Sequence, residues 1–196
     1  ADTGNWWYNP RYTAGHDIRP SCAALCSPEI VRASQKDMLS VKDLWQEIFG
    51  DDSEFIDRFY RAFPIGENTL VAKIGEKTVG MVNALDCKLT CKNELFYGKY
   101  IYALAVSNEY RGKGIAKALL EICEEGDFVL LVPETQALFD MSAHLGYSKK
   151  TQVDVRFTEP FLFFTEGKSS DGVSALVKIK DSKLEDFDSQ KGDFYI

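Results

Sequence analysis

The stretch Tyr100-Ile-Tyr-Ala-Leu-Ala-Val-Ser-Asn-Glu-Tyr-Arg-Gly-Lys-Gly-Ile-Ala-Lys-Ala-Leu-Leu120 reads as strand, tight turn and helix. Residues 100–106 are an apolar run of strand length, rich in aromatic and branched side chains. Ser107-Asn108-Glu109 interrupts it with turn chemistry. Arg111-Gly112-Lys113-Gly114 then opens a helix whose apolar stripe is expected at Ile115, Leu119, Ile122 and Cys123. The first turn of a helix leaves four backbone N–H groups without partners, and the peptide dipoles add partial positive charge there. Gly112 and Gly114 lack a Cβ, which lets a ligand approach those groups closely. Arg111, Lys113 and Lys117 add full positive charges. Together these features predict an anion site able to take a pyrophosphate.

Working outward, the domain is expected to begin near residue 28. Residues 30–33 are a short strand, and Ser34-x-x-Asp37 has the form of a capping box for the next helix. Met38, Val41, Leu44, Trp45 and Ile48 form the buried stripe of that helix, which Gly50 ends. Phe55, Ile56, Phe59 and Phe63 give a second helix, stopped by Pro64 and Gly66. Two strands at 69–74 and 77–89 are joined by Gly75-Glu76, a hairpin turn. A polar loop through Lys92 and Asn93 precedes the stretch above. Residues 128–132 are a continuous apolar run, predicting a strand buried on both faces and parallel to its neighbour. A helix over 135–145 and late strands over 147–156 and 161–165 follow.

The motif Arg111-x-x-Gly114-x-Ala116 after Leu104-Ala105-Val106 resembles motif A of the GNAT superfamily of N-acetyltransferases. Leu138-Phe-Asp-Met-Ser-Ala-His-Leu-Gly-Tyr147 resembles that superfamily's motif B. The resemblance covers residues 29–165 in order. It implies an α/β (α+β) fold: a mixed, mainly antiparallel central sheet, helices on both faces, and splayed central strands. It implies acetyl-coenzyme A as acyl donor, with no metal. The pantetheine arm is expected along Leu104, Ala105 and Val106, and the pyrophosphate on Arg111, Gly112, Lys113, Gly114, Ile115, Ala116 and Lys117. An amine acceptor would attack the thioester directly in a ternary complex. The first two helices would line the acceptor side, bringing Trp45, Phe59 and Tyr60 toward it.

Two positions depart from the family pattern. Ser142 stands where many members place a tyrosine as general acid for the departing thiolate. Tyr100 and Tyr102 stand where others place a carboxylate base. Glu134 is the nearest carboxylate after the partner strand, so Glu134, Tyr102 and Ser142 are the catalytic candidates. A non-catalytic acyl-coenzyme A binding module and a structural or interaction domain are the competing readings.

Composition bounds the rest. The chain has 196 residues, 45% hydrophobic and 27% charged, the profile of one globular domain. A net charge of −7 disfavours a nucleic-acid coating protein and suits a cationic acceptor. No apolar run reaches the ~20 residues of a membrane span, and no membrane partner is expected. Five cysteines, an odd number, point to a reducing cytoplasm rather than a disulfide framework. Cys22, Cys26, Cys87 and Cys91 have spacing that permits zinc, though packing or free thiols fit them better. Residues 1–27 read as an arm or expression remnant and 28–165 as the acetyl-coenzyme A domain; in the extension 166–196, residues 173–179 alternate like a strand, either added to the core sheet or opening a further domain. A monomer or homodimer is expected.

Overall fold

A computed structural model describes residues 27–133, 136–147, 149–152, 155–156, 174–184 and 192–195. Residues 1–26 of the expected arm, Glu134 and the expected strand at 161–165 lie outside the described residues.

The first half of the domain is built from strong local signals. Strand β1 (Glu29–Arg32) leads through Ser34 to helix α1 (Met38–Phe49). The Asp37 carboxylate accepts from both the N–H and the hydroxyl of Ser34, at 2.8 and 2.9 Å, so the capping box forms. Lys73 Nζ donates to the other Asp37 oxygen at 2.5 Å. The Lys73 hydrogen bond, with help from Ser34, holds the Asp37 carboxyl below its ordinary value. Gly50 ends α1 in the left-handed conformation, φ 77°, with its N–H on the Gln46 carbonyl. Asp52 caps α2 (Ser53–Ala62) by accepting from the Phe55 N–H at 2.7 Å. A single-turn helix α3 (Ile65–Asn68) then feeds the sheet.

Strands β2 (Thr69–Ile74), β3 (Lys77–Cys91) and β4 (Glu94–Val106) form an antiparallel meander. The central strand begins six residues before the expected start at Tyr100. Lys92 and Asn93, both at positive φ (50° and 65°), make a two-residue hairpin turn rather than a loop. Helix α4 (Ile115–Ile122) crosses to β5 (Phe128–Leu131), which runs parallel to β4. Helix α5 (Gln136–His144), β6 (Lys149–Gln152), β7 (Val155–Arg156), β8 (Ser174–Ile179) and β9 (Gly192–Tyr195) complete the described elements. The sheet runs β1-β2-β3-β4-β5-β8-β6, with β9 on the far half of β3 and β7 beside β9. The strand expected beyond residue 165 therefore sits inside the sheet, between β5 and β6.

Alternation along the strands divides the core into two layers. Val71, Met81 and Tyr100 face α1 and α2, where Trp45, Ile56 and Phe59 are buried. Ala72, Val82 and Ile101 face α4, with Leu119, Cys123 and Tyr147. Helices thus cover both faces of a mainly antiparallel sheet, as expected. Ile122 departs from expectation and is 48% exposed. The buried side of α4 centres on Ile115, Leu119, Leu120 and Cys123, which leaves Ile122 beyond its edge.

Candidate active site

The site begins where the central strand loses regularity. β4 and β5 pair from Gly98–Phe128 to Ile101–Leu131 and no further. Across the other edge of β4, Met81 faces Ala105 while Asn83 faces Tyr102, so β4 carries one extra residue. Ala103, inside this bulge, has φ 54°, a left-handed conformation that a residue with a Cβ seldom adopts. The bulge turns the end of β4 away from β5 and opens a groove between them.

At the groove's outer end the Ser107 N–H donates to the Val79 carbonyl at 3.0 Å and anchors the turn. Gly112 and Gly114 both have positive φ, 73° and 79°, and a Cβ at either would meet nothing within 4 Å. The glycines therefore serve the backbone path and leave open space beside it. The N–H groups of residues 112–117 have no protein partner among the described residues, and α4 has no side-chain cap. These donors, at the positive end of a helix, suit a doubly charged phosphate linker. Arg111 Nε donates to the Val106 carbonyl at 3.2 Å. Lys113 lies over the Tyr110 ring at 4.7 Å, and Lys117 is 3.7 Å from Glu121. All three cations are exposed and able to reorient.

Two connected clefts fill the groove. The larger, 580 Å³, is lined by every residue expected at the cofactor site except Lys113, which points onto Tyr110 instead. Ile48, Phe49, Leu138, Met141 and Leu145 close its sides. The smaller, 240 Å³, lies along Tyr100 to Leu104 and Leu131 to Pro133. Phe49, Leu104, Leu138 and Met141 line both.

Two of the three catalytic candidates come together. Tyr102 and Ser142 line the smaller cleft. Tyr102 is stacked on Phe59, with ring centroids 5.1 Å apart. Ser142 is 2% exposed, and its hydroxyl donates to the Leu138 carbonyl of its own helix at 2.7 Å. Glu134 is outside the described residues. Trp45 reaches the smaller cleft, but Phe59 and Tyr60 do not line it. Tyr60 is buried, its hydroxyl donating to Asn83 at 3.2 Å, and burial pushes its phenol well above the ordinary value.

Sequence reasoning missed Asp51, which lines the smaller cleft. In sequence, Asp51-Asp52-Ser53 reads only as a cap for the next helix. Among the described residues no group of three or more His, Cys, Asp or Glu side chains is arranged to hold a metal. Cys22 and Cys26 lie outside them, and Cys87, Cys91 and Cys123 are buried free thiols. Burial pushes the Cys87 and Cys123 thiols up to about 12.

Residues 29–125 match the sequence model of the acetyltransferase (GNAT) domain. No curated protein matches the chain significantly. Among solved structures the chain is similar to a GNAT family N-acetyltransferase from Escherichia coli in complex with CoA. That likeness has 18% identity and a TM-score of 0.53, covering 86% of this chain and 89% of that one. It is also similar to a chain of the NatC complex bound to Gag peptide and CoA, with 20% identity, TM-score 0.53 and coverage of 79% and 99%. A GCN5-related N-acetyltransferase from Anabaena variabilis shares 20% identity at TM-score 0.50, over 58% of this chain and 31% of that one. This chain spans about a third of the length of that protein. At these identities the likeness concerns the fold.

Proposed function

From the premise that residues 29–125 are a GNAT acetyltransferase domain, we propose that the protein is an acetyl-coenzyme A dependent N-acetyltransferase acting on an amine. One observation carries this reading: unpartnered N–H groups at residues 112–117 stand at the mouth of the same groove that opens where β4 leaves β5. The residues present fit the donor molecule. The glycine turn has room for a pyrophosphate, and Arg111, Lys113 and Lys117 can turn toward its charge. The β4 backbone from Leu104 to Val106 offers main-chain groups to the pantetheine arm. Arg111 now holds the Val106 carbonyl, and it would have to let go for that carbonyl to accept from the cosubstrate.

Acetyl-coenzyme A supplies the activated acetyl group. The protein's share is chiefly positioning, because holding thioester and amine together removes much of the entropic barrier. A backbone N–H freed by the bulge would serve as donor to the forming oxyanion. Ser142 keeps its hydroxyl on Leu138 and leaves the departing sulfur to a water donor. An ordinary thiol has a pKa of about 8.5, so such a departure needs no strong acid. Tyr102 lines the smaller cleft, where its hydroxyl can order water, and Glu134 is the carboxylate candidate for taking the amine's proton.

The engaged Ser142 hydroxyl favours the second reading, a non-catalytic acyl-coenzyme A binding module. Calorimetry with acetyl-coenzyme A decides first. Heat that vanishes in Gly114→Glu supports both readings, and no heat in the intact chain leaves an interaction domain. Turnover on a panel of amines then separates enzyme from module. No helix among the described residues is long and apolar enough to cross a membrane. The free thiols support a reducing, cytoplasmic setting, and a monomer or homodimer is the assembly we propose.

A further inference from the structure

The groove is charged oppositely at its two ends. Arg111 and Lys117 line the larger cleft. In the smaller cleft Asp51 is the one charged side chain among the described lining residues, set in a wall of aromatic and aliphatic groups. Asp51 arrives there because the left-handed Gly50 reverses the chain at the end of α1. Its Oδ2 accepts from the Trp45 indole N–H at 2.8 Å. Trp45 is 1% exposed and is held edge-on by Phe49, Phe59, Tyr60 and Tyr102. A rigid indole therefore orients the carboxylate, whose Oδ1 has no partner among the described residues.

We infer that Asp51 binds the ammonium group of the acceptor, and that the acceptor is a primary amine on a compact aromatic or aliphatic stem. The inference rests on the acetyltransferase reading. A carboxylate held in a mostly apolar cleft favours a cation over a neutral molecule of the same shape, and aromatic walls add to that preference. A cavity of ~150 Å³ takes benzene, so 240 Å³ accommodates one ring with a short aminoalkyl arm. The cleft is partly open, and the remainder of a longer acceptor can run into solvent. Free small amines and the amino end of a peptide share this chemistry.

The test uses the full chain with saturating acetyl-coenzyme A. Phenethylamine and phenylalanyl-glycyl-glycine amide are the acceptors, and 2-phenylethanol is the neutral isostere. The expected result is acetylation of at least one acceptor, with its KM raised about ten- to a hundredfold in Asp51→Asn and recovered in part by Asp51→Glu. Acetyl-coenzyme A affinity stays unchanged in both variants. Turnover of phenethylamine alone identifies a small amine, and turnover of the peptide identifies a chain terminus. An unchanged KM in Asp51→Asn overturns the inference. So does 2-phenylethanol binding as tightly as phenethylamine, or neither acceptor binding. Should Asp51→Asn fail to fold, the Trp45 indole N–H resonance of the unaltered protein decides. It should shift with phenethylamine and hold still with 2-phenylethanol, and an equal response to both refutes the assignment. Absence of acetyl-coenzyme A binding by the unaltered protein counts against the acetyltransferase reading instead.

Discussion

Ile101 faces Leu131 across the last paired position of β4 and β5. Beyond it β4 keeps its pairing with β3, gains one residue at the bulge, and diverges from β5. The divergence carries a conformational cost at Ala103, whose φ is 54°. A left-handed residue bearing a Cβ costs roughly 1–2 kcal/mol.

Ala103→Gly removes that cost and adds some freedom to the unfolded chain. The expected net gain is about 0.5–1 kcal/mol, or a rise in Tm of roughly 1–4 °C for a chain of this size. Ala103→Val should lower stability by more than about 1 kcal/mol and weaken acetyl-coenzyme A binding, since a branched residue resists positive φ. Thermal unfolding checks both. A loss of stability in the glycine variant would show that Ala103 is not strained.

Gly114 separates backbone from charge. Its φ is 79° and a Cβ there meets nothing within 4 Å. Gly114→Ala should cost about 1 kcal/mol in stability through backbone strain alone. Gly114→Glu should cost a similar amount and also raise the acetyl-coenzyme A Kd by more than about tenfold, by placing a negative charge against the N–H groups of the turn. Calorimetry at two salt concentrations distinguishes them, because only the charge effect should shrink as salt rises. Equal affinity in the two variants would remove the turn from the binding site.

Ser142→Ala should change kcat by less than about twofold and stability by about 1 kcal/mol, the worth of one ordinary hydrogen bond. The hydroxyl is buried and already donates to Leu138. A tenfold fall in kcat at unchanged acetyl-coenzyme A affinity would mean that the hydroxyl swings into the cleft and donates to the leaving sulfur.

Asp37 gives the fold a pH dependence. The Lys73 hydrogen bond and Ser34 lower its pKa from the ordinary 3.8. A carboxyl with a depressed folded-state pKa contributes stability that is complete above the unfolded value and is lost as pH falls through the folded value. Denaturant unfolding should therefore show stability declining below about pH 4. Asp37→Asn should be less stable by roughly 1 kcal/mol at pH 7, with a shallower decline in acid. Parallel pH profiles for the two proteins would rule out this contribution.

Local sequence chemistry determined much of this protein. Ser34 and Asp37 announced the start of α1, and Gly50 its end, because caps are made by neighbours in the chain. The run at 128–132 announced a parallel buried strand, because continuous apolar residues suit a strand covered on both faces. The glycines of the Arg111 turn announced an anion site, because their conformational freedom is a property of the residue itself. Tertiary structure decided the rest. Asp51 read only as cap chemistry, since its place in the cleft depends on a reversal at Gly50 and a bond to an indole six residues earlier. Ser142 could not be seen as engaged until its helix placed Leu138 beneath it. The segment at 173–179 reads as a strand from its alternation, but the seat of β8 between β5 and β6 is set by hydrogen bonds to residues about fifty and twenty-five positions away. Such long-range pairing leaves no mark in either partner alone.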